Sequence, residues 1–372
     1  MKPVINTDFI EYIMAGSPYK AASAKIMITR RCNSRCRKCP CWRRGSGEEM
    51  PPDKLIKIID DISSVGFKKL NLIGGEVTLY KNLPEVLAYA HDKDIKCSIT
   101  TNGFNIDKNY IKKFTKVRLR QAALSLDSHD PATHDYIVGI KSAWHKTVRA
   151  IRLLKNLTPR QVRAVGLNFV VTSMNYKHMP DYIAFAQVEG IDTIRFMPYE
   201  RTGFVENDQE FALSPENIFD MNKTVIPECM SALSASNIES NIERIAQSID
   251  MCEQSYFLEN NELQVKTPCF LPFFRIDINH DGNVFPCCML KYDQYLFGNV
   301  FDSSLSSIID SKKSIDFKCG LIPPIKHPEC SKCWIALDEN VEVMKYVDKK
   351  HLEAFWNELN LKAQRAAKDS GA

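Results

Sequence analysis

Long hydrophobic runs and an excess of one charge are both missing from this sequence of 372 residues. The longest uncharged run, residues 164–176, has 13 residues and includes Asn and Ser, whereas a membrane-spanning helix needs about 18 apolar residues. Lys and Arg total 49 against 45 for Asp and Glu, so no strong field exists to attract nucleic acid or an anionic membrane. The amino terminus has no secretory signal pattern. We therefore expect a cytoplasmic protein that binds neither nucleic acid nor membranes.

Glycine and proline are also scarce, with 15 and 18 residues, which excludes a fibrous or low-complexity chain. At roughly 150 residues per domain, the length suggests two or three units. Cysteine, in contrast, is abundant, with 13 residues. In a reducing compartment this number indicates metal, cluster or catalytic roles rather than structural disulfides.

Residues 25–198 alternate short apolar runs with helical patterns, which predicts repeated strand-helix units on a parallel sheet. The predicted strands are 25–29, 69–73, 96–100, 120–126, 165–171 and 193–197. The predicted helices between and after them are 52–65, 83–92, 106–114, 143–154 and 179–188, and another begins near Pro215. The fold class is therefore α/β, with a partial (βα)6 barrel similar to an incomplete TIM barrel.

The composition divides the chain into five segments. Residues 1–24 are an amino-terminal extension, 25–215 the barrel, 216–262 a helical linker, 263–340 a small cysteine-rich domain and 341–372 a carboxyl-terminal helix. In the small domain, Asp281-Gly282-Asn283 between two short apolar runs predicts a β-hairpin.

Cys32, Cys36 and Cys39 follow the first predicted strand, with three and then two residues between them. Thiolates select zinc or iron-sulfur clusters, and three ligands would leave one iron of a [4Fe-4S] cluster open. A zinc site that takes Cys41 as its fourth ligand is the alternative.

Gly74, Gly75 and Glu76 end the second predicted strand, where parallel strand-helix folds bind ligands. Together with the cysteine loop, three more strand-end segments resemble the radical S-adenosylmethionine (SAM) superfamily. They are Thr100-Thr101-Asn102-Gly103, Ser125-Leu126-Asp127 and Asn168-Phe169-Val170-Val171.

The resemblance implies that Cys32, Cys36 and Cys39 hold a [4Fe-4S] cluster whose open iron is chelated by SAM. Electron transfer would then cleave SAM to methionine and a 5′-deoxyadenosyl radical. It also implies that the methionine amino group lies against Gly74, Gly75 and Glu76, and that Ser125 and Asn168 are candidates for the SAM carboxylate and ribose.

Two positions depart from the family pattern. Lys38 stands where an aromatic residue is usual, and Val138 stands where an Arg often meets the SAM carboxylate. Other residues must therefore make these contacts, and Lys141 is one candidate.

A second set of thiols lies in the small domain and comprises Cys269, Cys287, Cys330 and Cys333. The last two form a Cys-x-x-Cys pair, a strong metal-ligand spacing, and zinc would satisfy the same four ligands. In context the segment resembles the shortened "twitch" form of the SPASM domain, because no cysteine follows Cys333. This implies one auxiliary [4Fe-4S] cluster with no open iron, suited to electron transfer. Cys288 is an alternative ligand to Cys287.

Three more residues are candidates for chemistry, each with a structural role as the alternative. Asp127 and Glu200, near predicted strand ends, could accept a substrate proton. Cys319, which precedes Gly320, could donate a hydrogen atom.

Other cysteines and histidines are expected to have structural roles. Cys97, Cys229 and Cys252 are expected to be buried, and His129 and His134 are placed in a loop after the fourth strand. The arginines around the first cysteines could balance cluster charge or receive an electron-donor protein such as flavodoxin or ferredoxin.

These features predict a radical SAM oxidoreductase in which two [4Fe-4S] clusters and SAM supply the chemistry. With about 24 residues before the first strand, we expect no fused leader-peptide domain and hence a small hydroxylated substrate, similar to a sugar or aminocyclitol. A peptide-modifying maturase and an epimerase are the enzymatic alternatives, and a zinc or iron-sulfur binding module is the non-enzymatic one.

Overall fold

The computed structural model describes most of the chain between residues 23 and 364. The described residues are 23–44, 47–114, 116–157, 159–199, 208–246, 268–321, 323, 325–333, 353–357, 359, 361 and 364. Glu200 and Cys252, which the sequence singled out, lie outside them, as does the predicted boundary at 262/263.

Six parallel strands form the barrel, as the sequence predicts. They are β1 (Ser23–Thr29), β2 (Lys69–Gly74), β3 (Lys96–Thr101), β4 (Leu119–Ser125), β5 (Val165–Val171) and β6 (Thr193–Pro198). The sheet continues at both sides with β7 (Glu239–Ser240), β8 (Arg275–Ile278), β9 (Asn283–Phe285) and β10 (Gly298–Asn299). Its order is β10-β9-β8-β1-β2-β3-β4-β5-β6-β7. The strands therefore form an open, partial barrel.

The helices that follow the barrel strands pack on the outer face of this sheet, and shorter ones lie in the cysteine loop and the small domain. In chain order they are α1 (Cys41–Arg44), α2 (Pro52–Ser64), α3 (Leu83–Asp92), α4 (Lys108–Ile111), α5 (Pro131–Val138), α6 (Ala143–Lys155), α7 (Met179–Val188), α8 (Pro215–Asp220), α9 (Ile226–Ser234), α10 (Leu271–Phe274), α11 (Leu305–Ile309) and α12 (Lys312–Cys319). Alternate strand residues such as Ile26, Leu72 and Ile99 are fully buried in one core with helix residues such as Ile58 and Leu87. The residues between them face the barrel interior.

Helix α5 corrects the expected loop after the fourth strand. The Asp130 side chain caps it by accepting from the Thr133 backbone N–H at 2.7 Å, Pro131 occupies its first turn, and Gly139 ends it with φ of 69°. His134 is therefore a buried helical residue. The helix predicted over 106–114 is shorter: α4 begins at Lys108 and a 3₁₀ turn completes it.

The small domain continues the barrel sheet. Strands β8 and β9 form the predicted antiparallel hairpin, and Gly282 takes the left-handed φ of 83° that its turn requires. Strand β8 pairs in parallel with β1, Lys25 opposite Asp277. The region predicted as a helical linker contains α8, α9 and β7, which pairs with β6. Among the described residues, no helix is long and apolar enough to cross a membrane.

Candidate functional site

The loop that carries the first three cysteines is held by the glycine pair after β2. The Gly75 N–H donates to the Thr29 carbonyl at 2.8 Å, and the Glu76 N–H donates to the Arg31 carbonyl at 2.7 Å. A Cβ on Gly74 would lie 2.5 Å from the Thr29 oxygen, and one on Gly75 would overlap backbone oxygens of the loop. Only glycine permits this approach.

The end of helix α5 holds the same loop from the other side. The Arg35 and Arg37 N–H groups donate to the carbonyls of Val138, at 3.3 Å, and Ile137, at 2.9 Å. A Cβ on Gly139 would lie 2.5 Å from the Arg35 carbonyl oxygen. The Val138 side chain is buried in a small apolar cluster that Cys36 contacts. Val138 thus supports the loop, while Lys141 is exposed.

The loop brings the three thiols close together. Burial raises the pKa of Cys32 to about 12, and the neighbouring Cys36 and Cys39 thiols add to that effect. Burial likewise raises the pKa of Cys36 to about 11. The thiol of Cys39 hydrogen-bonds that of Cys41, which raises the pKa of Cys39 and lowers that of Cys41 to about 7. A bound metal would deprotonate the thiols that ligate it.

Glu76 is buried and ties the end of β2 to the end of β3. Its Oε1 accepts from the Thr78 N–H and from the Thr78 and Thr101 hydroxyls at 2.5–3.0 Å, and its Oε2 accepts from the Asn102 N–H at 2.6 Å. Burial raises the pKa of Glu76, and these hydrogen bonds oppose that shift. Contact with the SAM amino group stays a prediction.

Sequence reasoning missed the polar contacts that fasten the loop to the barrel. The Asn33 side chain accepts from Asn102 at 2.7 Å and donates to Asn105 at 3.2 Å. The Ser34 hydroxyl lies 3.0 Å from the Cys36 sulfur, and the Trp42 indole N–H donates to the Cys36 carbonyl at 2.9 Å. Asn102 belongs to a segment that the sequence singled out, but its partner is 69 residues away.

A buried ion pair joins the cysteine loop to the carboxyl end of β4. Lys38 Nζ lies 2.5 Å from Asp127 Oδ1, and the two side chains are 9% and 4% exposed. The Val170 N–H also donates to that oxygen at 3.2 Å. Asp127 can therefore accept a substrate proton only if it exchanges its Lys38 partner, and that role stays a prediction.

Ser125 and Asn168, the candidates for the SAM carboxylate and ribose, are register neighbours on β4 and β5.

The four small-domain thiols also come together. Burial and the three other thiols of the set raise the pKa of Cys330, and burial raises that of Cys287 to about 12. Cys288 lies close enough to Lys25 of β1 to act on its pKa. Cys319 ends helix α12, where the charged groups that act on it are Asp316, Lys326 and Lys318.

Both sets of thiols fit an iron-sulfur cluster by ligand type, since clusters take Cys₃ or Cys₄ thiolate sets. None of the described cysteines forms a disulfide. In the described part of the chain, no three His, Cys, Asp or Glu side chains are gathered tightly enough for a single metal ion. The choice between zinc and a cluster therefore depends on the comparison with known proteins.

Residues 26–186 match the family model of the radical SAM superfamily, and residues 269–334 match that of SPASM, an iron-sulfur cluster-binding domain. The Fe-coproporphyrin III synthase of Methanosarcina barkeri (strain Fusaro / DSM 804) is 33% identical over 45% of this chain and 42% of its own length. The PqqA peptide cyclase of Granulibacter bethesdensis (strain ATCC BAA-1260 / CGDNIH1) is 26% identical over 49% of this chain and 48% of its own length. The chain thus spans less than half of either relative.

Among solved structures, native anSMEcpe with bound AdoMet and Cp18Cys peptide superposes with a TM-score of 0.62 at 18% identity. The match covers 92% of this chain and 99% of that one, and it establishes a shared fold.

An open parallel barrel with three thiols after its first strand is joined to a hairpin domain with four more, and the two family models match these two parts. Residues 26–186 belong to the radical SAM superfamily, and residues 269–334 form a SPASM domain after that barrel. The family and fold expected from the sequence are confirmed, and the match favours iron-sulfur clusters over zinc at both thiol sets.

Proposed function

We propose that this chain reductively cleaves SAM and abstracts a hydrogen atom from its substrate. The observation that carries the proposal is the loop of Cys32, Cys36 and Cys39, clamped between the Gly74-Gly75 turn and the end of α5. When bound, the [4Fe-4S] cluster and SAM supply an electron and a 5′-deoxyadenosyl radical.

The chain's own residues position these groups. Glu76 fixes the ends of β2 and β3 through its hydrogen bonds to Thr78, Thr101 and Asn102. Ser125 and Asn168 lie side by side at the ends of β4 and β5, where they would bind the SAM carboxylate and ribose. Gly74 and Gly75, at the end of β2, would lie against its methionine moiety.

The four-thiol set is proposed to hold a second [4Fe-4S] cluster that relays an electron, so that the net reaction is an oxidation. Four protein thiolates leave no iron open for substrate. Epimerisation would instead need a hydrogen donor near the barrel. The surroundings of Cys319 argue against epimerisation. The charged groups that act on its pKa all belong to α12 and the segment after it, and none belongs to the barrel.

The substrate class has two candidates. The sequence predicts a small hydroxylated molecule. A peptide is favoured by the relatives, since one is named a peptide cyclase and the anSMEcpe structure contains a peptide. The electron donor is proposed to be a flavodoxin or ferredoxin in the cytoplasm, which would meet the exposed arginines Arg31, Arg35, Arg37 and Arg43 beside the cysteine loop.

Anaerobic reconstitution followed by iron and sulfide analysis tests the proposal. We expect about eight irons per chain and formation of 5′-deoxyadenosine after addition of dithionite and SAM. The matched control is Cys97→Ala, which removes a buried thiol of β3 outside both sets and should preserve both results. The proposal would be refuted if the protein bound zinc in place of iron, or if the reconstituted protein with clusters did not cleave SAM.

A further inference from the structure

Positive charge is concentrated on the segment that carries the first three cysteines. Residues 30–44 contain six arginines, one lysine and no acidic residue, whereas the whole chain has a net charge of only +4. Three of these cations are paired with carboxylates elsewhere in the chain: Arg30 with Glu48 at 3.1 Å, Arg31 with Glu49 at 3.4 Å and Lys38 with Asp127 at 2.5 Å. The other arginines decide what the surface of the loop can bind.

Arg35, Arg37 and Arg43 are exposed around the cysteine loop. The Arg35 guanidinium donates to the Cys32 carbonyl at 3.2 Å. The Arg37 guanidinium carbon lies over the ring of Tyr136, 4.2 Å from its centre. A carbonyl group and an aromatic ring carry no net charge, so these contacts hold the two guanidinium groups in place without neutralising them.

Trp42 of α1 stands between two of these arginines. The guanidinium carbons of Arg35 and Arg43 lie 5.2 and 5.1 Å from the centre of its ring, within the range of cation–π attraction. Its indole N–H donates to the Cys36 carbonyl at 2.9 Å, and the residue is only half-buried. Trp42 therefore connects the charged surface to the backbone of a cysteine in the first set. We call Arg35, Arg37, Trp42 and Arg43 the Trp42 patch.

The composition of the Trp42 patch is typical of a protein interface. Trp and Arg are enriched among the residues that dominate the binding energy of interfaces. Exposed charges of one sign attract a partner of the opposite sign and raise its association rate, so an acidic protein fits this patch. RNA is also negative and stacks on aromatic rings, but the patch lies against the cysteine loop, where the proposed function requires an electron to enter.

A role confined to the cysteine loop does not account for all four side chains. The contact of Arg35 with the Cys32 carbonyl could help to balance the charge of thiolates in the loop. The guanidinium carbons of Arg37 and Arg43 instead lie against aromatic rings, at 4.2 and 5.1 Å from the ring centres. This arrangement keeps two positive charges exposed at the surface, where a partner can reach them.

We propose that the Trp42 patch docks an acidic one-electron carrier protein, and that Trp42 is the central contact of this interface. The reduced carrier loses one electron and is oxidised, and that electron is consumed in the cleavage of SAM. This inference rests on the proposed function for the need of an electron, and it adds the surface and the central residue at which the carrier binds.

Calorimetric titration of the anaerobically reconstituted protein with an acidic flavodoxin, and separately with an acidic ferredoxin, tests the patch at low ionic strength. We expect saturable binding that weakens with added salt. Trp42→Ala should raise the Kd at least about tenfold, as is usual for the central residue of an interface. Arg37→Gln/Arg43→Gln should raise the Kd at least about fivefold through the loss of two exposed charges, and Arg37→Lys/Arg43→Lys should keep most of the affinity.

The matched control is Arg163→Gln. Arg163 is exposed and precedes β5, at the opposite end of the barrel strands from the cysteine loop, so this variant should bind the carriers with the wild-type Kd. Iron is measured in every variant. If Trp42→Ala loses iron because its hydrogen bond to the Cys36 carbonyl is gone, the comparison of the Gln and Lys double variants decides the outcome.

A ratio of two rates separates docking from a structural role. Formation of 5′-deoxyadenosine is measured with dithionite, a small reductant that needs no docking surface, and with reduced flavodoxin. Arg37→Gln/Arg43→Gln should lower the rate with flavodoxin relative to the rate with dithionite, whereas a structural role would lower both equally.

Three results would overturn the proposal: neither carrier binds the wild type, the Gln double variant keeps the wild-type Kd, or single-stranded RNA binds the patch in place of both carriers. A failure of the proposed function is seen separately, as absence of 5′-deoxyadenosine when the wild type is reduced with dithionite.

Discussion

Lys38 occupies the position directly before the third cysteine of the loop, yet its charge is buried against Asp127 of the barrel. Removing one partner of a buried ion pair leaves the other charge uncompensated, which typically costs about 3–5 kcal/mol. We expect Lys38→Met to lose stability of this order in anaerobic urea unfolding. The double variant Lys38→Met/Asp127→Asn should recover much of the loss, because Asn can still accept from the Val170 N–H. If Lys38→Met lowered the free energy of unfolding by less than about 1 kcal/mol, solvent would already screen the ion pair.

His134 predicts a dependence of stability on pH. It is fully buried, its Nδ1 accepts from the Asp127 N–H at 3.1 Å, and burial lowers its pKa to about 4 from 6.5. The unfolded chain therefore binds more protons between these two values, so stability falls as pH decreases through 6.5.

Between about pH 7 and pH 5.5 this linkage amounts to about 1 kcal/mol. Urea unfolding of the wild type and of His134→Gln at both pH values measures it, and the variant should lose less. Equal losses in the two proteins would assign the acid sensitivity to other groups.

Among the glycines in the described part of the chain, Gly75 in the turn after β2 has the least room for a side chain. Gly75→Ala places a methyl group against the Arg30 and Arg31 carbonyls, so we expect it to displace the cysteine loop and lower iron bound at the first site. Iron analysis and electron paramagnetic resonance of the reduced protein measure this. The control is Gly298→Ala, whose Cβ would have the Ile308 side chain as its nearest neighbour, at 3.1 Å. Full iron occupancy in Gly75→Ala would mean that the loop position does not depend on this turn.

The strands were predictable because each is a short local pattern. Helix α5 was not, since it has only eight residues and only two of the three on its buried face, Ile137 and Val138, are apolar, the third being His134. Local spacing likewise singled out Cys32, Cys36 and Cys39 and the Cys330–Cys333 pair, and their roles as cluster ligands stay predictions. The Lys38–Asp127 pair spans 89 residues of sequence, so no local pattern predicts it.

For the whole molecule, the two thiol sets lie in different parts of one fold. We predict that replacing Cys32, Cys36 and Cys39 together by Ala abolishes SAM cleavage while about half the iron remains, since each of the two proposed [4Fe-4S] clusters would have its own ligands. Iron analysis with a 5′-deoxyadenosine assay measures both effects. The opposite triple variant, Cys287, Cys330 and Cys333 to Ala, should retain the iron of the first site. Loss of all iron in the first variant would indicate one shared site.

The pairing of β8 with β1 means that the SPASM domain is not a detachable module. Its first strand covers the edge of β1 over four residue pairs, and an uncovered edge strand is a template for intermolecular pairing. A chain cut before Cys269 would therefore expose the very strand that leads into the cysteine loop, and we expect it to aggregate. Exchange of this domain between relatives would have to preserve the pairing of β8 with β1. The barrel and the SPASM domain are therefore constrained to evolve together.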